Sequence, residues 1–409
     1  MGKGEMLISG LSPAGDVSSS RAAVDALGVS TMNSHVKIEG LEGSTQGSDL
    51  QILLNSVGVA AWRTPDDQID VGNSGTTIRL FLGALAGSSA TAQLTGDGSI
   101  RRRPMGRVVK PLQAMGASII GDDGGDHAPL RVAGTRLHGV DHALPVASAQ
   151  VKSALLLAGL LADGETSIEE PAQSRDHTER LLRYLGVPIA SSGNRLSVKS
   201  TNIQNASVTI PGDISSAAFL LVAAALLSGS DVAIEGVGIN PTRTGVLEIL
   251  RSFGARVDIA DVREESGEPV GTIRVRPGDH RPLEIGGDLV VASMDELPLV
   301  AVLGTAAEGV TVVRDAQELR VKESDRIAAI VEGLRLMGAS IEGTPDGFSV
   351  DGPVRLRGAV VDAAGDHRIA MALAIAALTA EGETTITGWD SVGISYPGFE
   401  QDLEQLVVR

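Results

Sequence analysis

One two-part unit recurs along this chain, and it constrains the fold more than any other feature. An Ala/Leu-rich run ends in a small turn, then an alternating strand closes on Gly or an acid: Leu80–Gly96, Ser153–Glu170, Ala217–Gly236, Leu297–Asp315 and Ala370–Gly388. A sixth copy opens the chain as Gly4–Gly10, without the apolar run before its strand. Each copy continues with an amphipathic stretch that stops at a glycine and enters a second strand. The glycines are Gly28, Gly116, Gly186, Gly254 and Gly338, and the tail from Asp402 reads as a sixth copy ending early. A glycine there fits a left-handed helix C-cap, which other residues enter only with strain. The copies recur roughly every 65 to 90 residues, too long for a simple solenoid. Each is an αβαβ-type unit.

The first helix of each copy is apolar on every face, so it is expected to be buried all round. The second carries apolar residues at a helical period with charge elsewhere, so it is expected to lie half in water. Six such copies exceed one core, and two domains of three copies each solve the problem. The seam is expected at Pro211–Gly212–Asp213, which gives a domain 1–212 and a domain 213–409.

Composition excludes several classes. The chain has no Cys, so it has neither a disulfide framework nor thiolate chemistry. Its start lacks the apolar core of a signal peptide, and its apolar runs fall short of a membrane span. Aromatics make up only 2%, and the net charge is −17, which together disfavour nucleic acid and anionic membranes as partners. A cytoplasmic location and a monomer are the expectations. His138 and His142 do not form a metal pair on one helix face, and Gly121–His127 lacks the closing Glu of a calcium loop. No phosphate loop, dinucleotide fingerprint or nucleophile elbow is present, and nothing implies a metal or organic cofactor.

Against this acidic background the cationic turns are informative. They contain Asn73, Gly75, Thr76 and Arg79; Arg101, Arg102, Arg103 and Arg107; Ser148, Ala149 and Gln150; Ser174 and Arg175; Lys322 and Arg326; and His367 and Arg368. Small hydroxyls and Gly at a helix start offer N–H groups to an anion, and Arg adds bidentate contacts. Taken singly, the Arg run 101–103 reads as a solvated face, the turn at Asn73 as an N-cap, and the stretch from Arg320 to Arg326 as a surface helix with ion pairs. Their joint placement at copy starts points instead to a small substrate with more than one acidic group.

These motifs also resemble a known family. "GNSGTTIRL", "RRRPMGRVVKPLQAMGA", "SAQVKSALLLAGL", "SRDHTERLLRYLGV", "PGDISSAAF", "DELPLVAV", "ELRVKESDRI" and "GDHRIAMALAIAAL" match, in order, the 5-enolpyruvylshikimate-3-phosphate synthases, in the branch called class II. The resemblance implies an α/β fold of two inside-out barrel domains, each built from three βαβαββ-type units with buried helices. It implies transfer of the enolpyruvyl group of phosphoenolpyruvate to the 5-hydroxyl of shikimate-3-phosphate by addition and elimination. Such chemistry needs a base, an acid and cationic clamps, and the acid and base need environments that split their pKa values. Asp295 falls on the family's acceptor for the hydroxyl, Glu323 on the proton donor, and Lys322 on a residue touching the substrates. Phosphoenolpyruvate would be held by Gly75, Arg103, Gln150, Arg326 and Arg368. Shikimate-3-phosphate would be held by Ser148, the Ala149 backbone, Gln150, Ser174 and Arg175, with Asp295 and Lys322. Asn73 and His367 would support them, and the cationic turns would converge between the two halves.

The family opens with a Lys-containing Pro-Gly-Asp/Ser segment and an apolar helix that have no counterpart before Gly4. The expectation is a start lacking that segment, an apolar hole in the first domain and a cost of several kcal/mol. Ile394 stands where some relatives place Lys, and Leu80 where another branch has Pro. Two rivals follow: the UDP-N-acetylglucosamine enolpyruvyl transferase, whose usual loop Cys is absent, and an anion-binding remnant without turnover. An RNA-end-processing enzyme of similar repeats is disfavoured by the charge.

Overall fold

The structure is a computed structural model that describes residues 3–33 and 50–406; the last three residues of the C-terminal tail lie outside them. By its internal contacts the chain divides into two units. One is Met1–Ile210 with Glu265–Glu268, the other Pro211–Glu264 with Pro269–Arg409.

The first unit contains helices α1 (Gly15–Ala26), α2 (Gly75–Ala86), α3 (Gly98–Arg102), α4 (Gly106–Ala114), α5 (Ala149–Gly159) and α6 (His177–Tyr184). Its three four-stranded sheets share one strand order. In the sheet nearest the middle of the unit's sequence, Ile69–Asp70 runs parallel to Thr91–Thr95. That strand is antiparallel to His127–Ala133, which pairs in turn with Ser118–Asp122. Asp141–Ala143, Glu165–Glu169, Arg195–Lys199 and Ala190–Ser192 repeat the pattern. So do Val208–Thr209, Lys3–Leu11, Leu50–Val57 and Ser30–Asn33, with the edge strand supplied from the far end of the unit's sequence. A parallel edge strand, a helix, a strand, a second helix and a hairpin form the βαβαββ unit.

The second unit contains α7 (Ile214–Leu226), α8 (Gly245–Phe253), α9 (Asp288–Ala292), α10 (Leu297–Ala306), α11 (Arg326–Leu336), α12 (His367–Ala377) and α13 (Phe399–Leu406). Glu284–Ile285, Gly309–Val313, Gly347–Gly352 and Ser340–Thr344 keep the same order. In the unit's first copy the parallel edge shrinks to a bridge between Gly212 and Val237. The last copy retains only the parallel pair Val360–Asp362 and Thr385–Thr387 before α13.

The helices bury as their composition dictates. In α7 every residue except Ser216 is buried, and in α10 every residue except Ala306. Helix α6, charged around most of its surface, buries only Glu179 and Leu182. Helices with no polar face have nowhere to go but the interior, so they form the core and the sheets wall it. Each unit has its own apolar cluster, centred on α2 and α5 in the first and on α7, α10 and α12 in the second. The capping glycines adopt the left-handed conformation their position requires, with φ of 86° at Gly28, 99° at Gly116, 81° at Gly186, 103° at Gly254 and 92° at Gly338.

Candidate active site

Many of the residues singled out by the sequence lie at helix N-terminal ends: Asn73, Gly75 and Thr76 at α2, Ser148, Ala149 and Gln150 at α5, Arg326 at α11, and His367 and Arg368 at α12, while Arg103 ends α3 and Ser174 and Arg175 precede α6. The first helical N–H groups have no partner within the helix, so each end must be capped and is ready to hold an anion. Ser74 caps α2, Ser148 caps α5, Asp213 caps α7 and Asp366 caps α12, each accepting from backbone N–H groups of the first turn.

At the start of α2, Asn73 donates to Asp97 at 2.9 Å. The Arg79 guanidinium, 7% exposed, donates to the Gly75 carbonyl at 2.9 Å. Arg103 comes so close to Gly75 that a Cβ there would lie 2.6 Å from its Nη1. Such a Cβ would also lie 2.8 Å from Arg79 Nη1, so a side chain at this position would displace both guanidiniums. Of the Arg run, Arg101 and Arg102 are exposed while Arg103 turns inward; the solvated-face expectation holds for two residues and fails for the third. Thr76 and Gln150 join the starts of α2 and α5 through a 2.8 Å hydrogen bond. Ala149 is the first residue of α5, where its N–H lies among those the helix leaves unpaired. Ser148 and Ser174 meet through one acceptor: Oε1 of Glu170 takes the Ser148 N–H at 3.2 Å and the Ser174 hydroxyl at 2.6 Å. Arg175 is half-buried beside Ser174.

In the second unit, Arg326 is the first residue of α11 and 1% exposed, so the stretch around it is no surface helix. Its Nε donates to Asp366 at 2.8 Å, its Nη1 to Asp295 at 3.2 Å and its Nη2 to Glu323 at 2.5 Å. A planar guanidinium can serve three carboxylates only if each lies along one of its fixed N–H directions. The chain meets that demand by drawing Asp295, Glu323 and Asp366 from the approaches to α10, α11 and α12. Lys322 Nζ lies 3.6 Å from Asp295 Oδ1, and Arg368 Nη2 lies 3.8 Å from Asp295 Oδ2. Asp295 thus sits among three cations. Burial alone would raise the Asp366 carboxyl, but Arg326 beside it holds it down at about 2. His367 is pushed down to about 4, chiefly by burial and then by Arg368, so it is neutral at pH 7.

Sequence reasoning assigned no role to three participants, although one of them, Lys152, is the cation of the turn Ser148–Ala154. Asp366 lies inside a motif whose His and Arg drew attention, yet it is the carboxylate that Arg326 engages twice. Lys152 and Glu170 lie behind Ser148 and Ser174, 1% and 5% exposed. A lone charged residue just before the apolar run Ala154–Gly159 was the available signal, because a buried ammonium demands acidic partners.

A family model described as EPSP synthase (3-phosphoshikimate 1-carboxyvinyltransferase) matches residues 1–403. The chain belongs to the EPSP synthase family. A 3-phosphoshikimate 1-carboxyvinyltransferase of Desulforamulus reducens is 47% identical over 370 residues, covering 90% of this chain and 86% of that protein. One from a Synechococcus species is 48% identical over 414 residues, covering 100% and 90%. Among solved structures, EPSP synthase from Acinetobacter baumannii superposes with a TM-score of 0.84 at 37% identity, over 99% of this chain and 91% of that one. The enolpyruvyl transferase NikO from Streptomyces tendae shares the fold, with a TM-score of 0.76 at 20% identity. For an EPSP synthase family member, acids and cations at helix starts are the groups from which an enolpyruvyl transfer would be built.

Proposed function

We propose that this chain transfers the enolpyruvyl group of phosphoenolpyruvate to the 5-hydroxyl of shikimate-3-phosphate and releases inorganic phosphate. The observation that carries the reading is the shared hold of buried Arg326 on Asp295 and Glu323, with Lys322 and Arg368 on the same aspartate. Family membership and the names of the relatives support it, and they favour it over the UDP-N-acetylglucosamine alternative.

In the proposed reaction Asp295 accepts the hydroxyl proton as that oxygen bonds carbon 2 of phosphoenolpyruvate, and Glu323 protonates carbon 3. Loss of a carbon 3 proton and of phosphate from the tetrahedral intermediate then restores the double bond, so atoms and charge balance. The cations around Asp295 suit a group that must work as an anion. Lys322, Arg326 and Arg368 offset the carboxylate and phosphate charge of phosphoenolpyruvate. Gly75, Arg103 and Gln150 add the helix-start donors of the first unit, with Asn73 and His367 in support. Ser148, Ala149, Gln150, Ser174 and Arg175 take the phosphorylated shikimate.

The test is phosphate release from the two substrates together. Glu323→Gln and Asp295→Asn should each lower kcat by about a hundredfold or more while the proteins unfold near the wild-type temperature. Wild-type turnover retained in both variants overturns the assignment of acid and base.

A further inference from the structure

The first unit buries a charged cluster that the proposed chemistry does not itself use. Lys152, one turn into α5, places Nζ 2.7 Å from Glu170 Oε2 and 2.8 Å from Glu179 Oε1, and it donates to the Ser174 carbonyl at 3.4 Å. All three charged side chains are at least nine-tenths buried. An apolar residue at 152 would suit the α5 core and avoid desolvating an ammonium, so packing alone does not account for the cluster.

The cluster leads to two substrate-holding positions. Glu170 uses one oxygen for Lys152 and the other for both Ser148 N–H and Ser174 Oγ–H. Lys152 N also donates to the Ser148 carbonyl at 3.0 Å within α5, so Lys152, Glu170 and the start of the helix close a ring. A serine hydroxyl carries a single proton, and here Glu170 holds it. For Ser174 to donate to a phosphate oxygen, that proton must swing away from Glu170. The swing is cheap only if Glu170 keeps another strong donor, because a buried carboxylate stripped of partners is costly.

We propose that Lys152, acting through Glu170, is a positioning residue for the phosphorylated hydroxy-acid substrate: it fixes Ser148 and Ser174 relative to each other and frees the Ser174 proton for the phosphate. The inference rests on the assignment of Ser148 and Ser174 to shikimate-3-phosphate.

The test pairs Lys152→Met with Lys152→Met/Glu179→Gln. The double variant keeps the cluster's net charge and guards against failure to fold. Calorimetric titration with shikimate-3-phosphate should show affinity weakened about tenfold or more in both. The KM for phosphoenolpyruvate should stay within about twofold, and the double variant should recover thermal stability without recovering affinity. A purely structural lysine would lower stability and leave the two substrates affected alike. A double variant that folds and binds shikimate-3-phosphate like the wild type overturns the proposal, as does equal weakening toward both substrates. Wild-type protein that binds shikimate-3-phosphate but releases no phosphate refutes the transfer reaction alone, since the titration still judges the role of Lys152.

Discussion

Each unit buries a cation among acids, Lys152 in the first and Arg326 in the second, and the two clusters differ in the cation. Arg326 is shared by Asp295, Glu323 and Asp366, whereas Lys152 is shared by Glu170 and Glu179. A guanidinium points five donors along fixed directions, while an ammonium is a compact point charge on a flexible stem. The protonation states diverge accordingly. Arg326 holds Asp366 down at about 2 against its burial. Burial pushes Glu179 up in spite of Lys152, and its Oε2 has no hydrogen-bond partner among the described residues. In the cluster that contains the proposed acid and base, Arg326 fixes the direction of three carboxylates and keeps Asp366 ionised. The cluster behind Ser148 and Ser174, the serines proposed to hold the phosphorylated substrate, keeps an adjustable member. A carboxylate that must meet one carbon or one hydroxyl needs fixed geometry, whereas a relay that lets a hydroxyl turn needs slack.

The comparison breaks first on its cations. Arg326→Met leaves three carboxylates around a vacated centre and should cost about 3–5 kcal/mol in denaturant unfolding, with phosphate release abolished. Arg326→Lys should rescue little of either, because one ammonium cannot reproduce three divergent bonds. Lys152→Met should cost less, about 3 kcal/mol at most, because it strands two buried carboxylates rather than three. Equal losses from the two Met variants would mean that the identity of the cation is immaterial.

A smaller effect separates the clusters by pH. His367 is buried neutral with its pKa lowered to about 4. The folded state therefore binds fewer protons than the unfolded state between pH 4 and 6.5. Stability should rise across that window and be lost as pH falls through it, by on the order of 2 kcal/mol. Asp366 does not interfere, since its contribution is lost only as pH falls from about 4 toward 2. Unfolding of His367→Gln, followed from pH 4 to 7, should lack this slope; an unchanged slope assigns the proton uptake to another group.

The sequence carried the architecture because each copy obeys local rules. An apolar run without a polar face must be buried, and a glycine after an amphipathic run must cap it; Gly28, Gly116, Gly186, Gly254 and Gly338 do so. The site was legible where a motif held both the residue and its setting, as at Gly75 and Ser148, whose turns read as helix starts and are helix starts. It was hidden where partners stand far apart along the chain. Asp366 is 40 residues from Arg326, and Glu170 is 22 from Ser148. No local spacing predicts that either pair meets. The Arg run shows the same limit, since only the backbone turn at Pro104 decides which of three adjacent arginines faces in.

The smallest expected effect tests the comparison most directly. Glu179 has its pKa raised by burial, so its ionised form is penalised in the folded state. The stability associated with this group is complete below its unfolded value near 4.5 and declines as pH rises through the folded value. Glu179→Gln keeps an acceptor for Lys152 without the charge, so it should match the wild type near pH 4 and gain up to about 1 kcal/mol near pH 9. A loss at pH 9 would mean that attraction to Lys152 outweighs the desolvation of Glu179. The first unit's cluster would then be as firmly ionised as the second's, and the slack attributed to its lysine would have to come from the Ser174 hydroxyl alone.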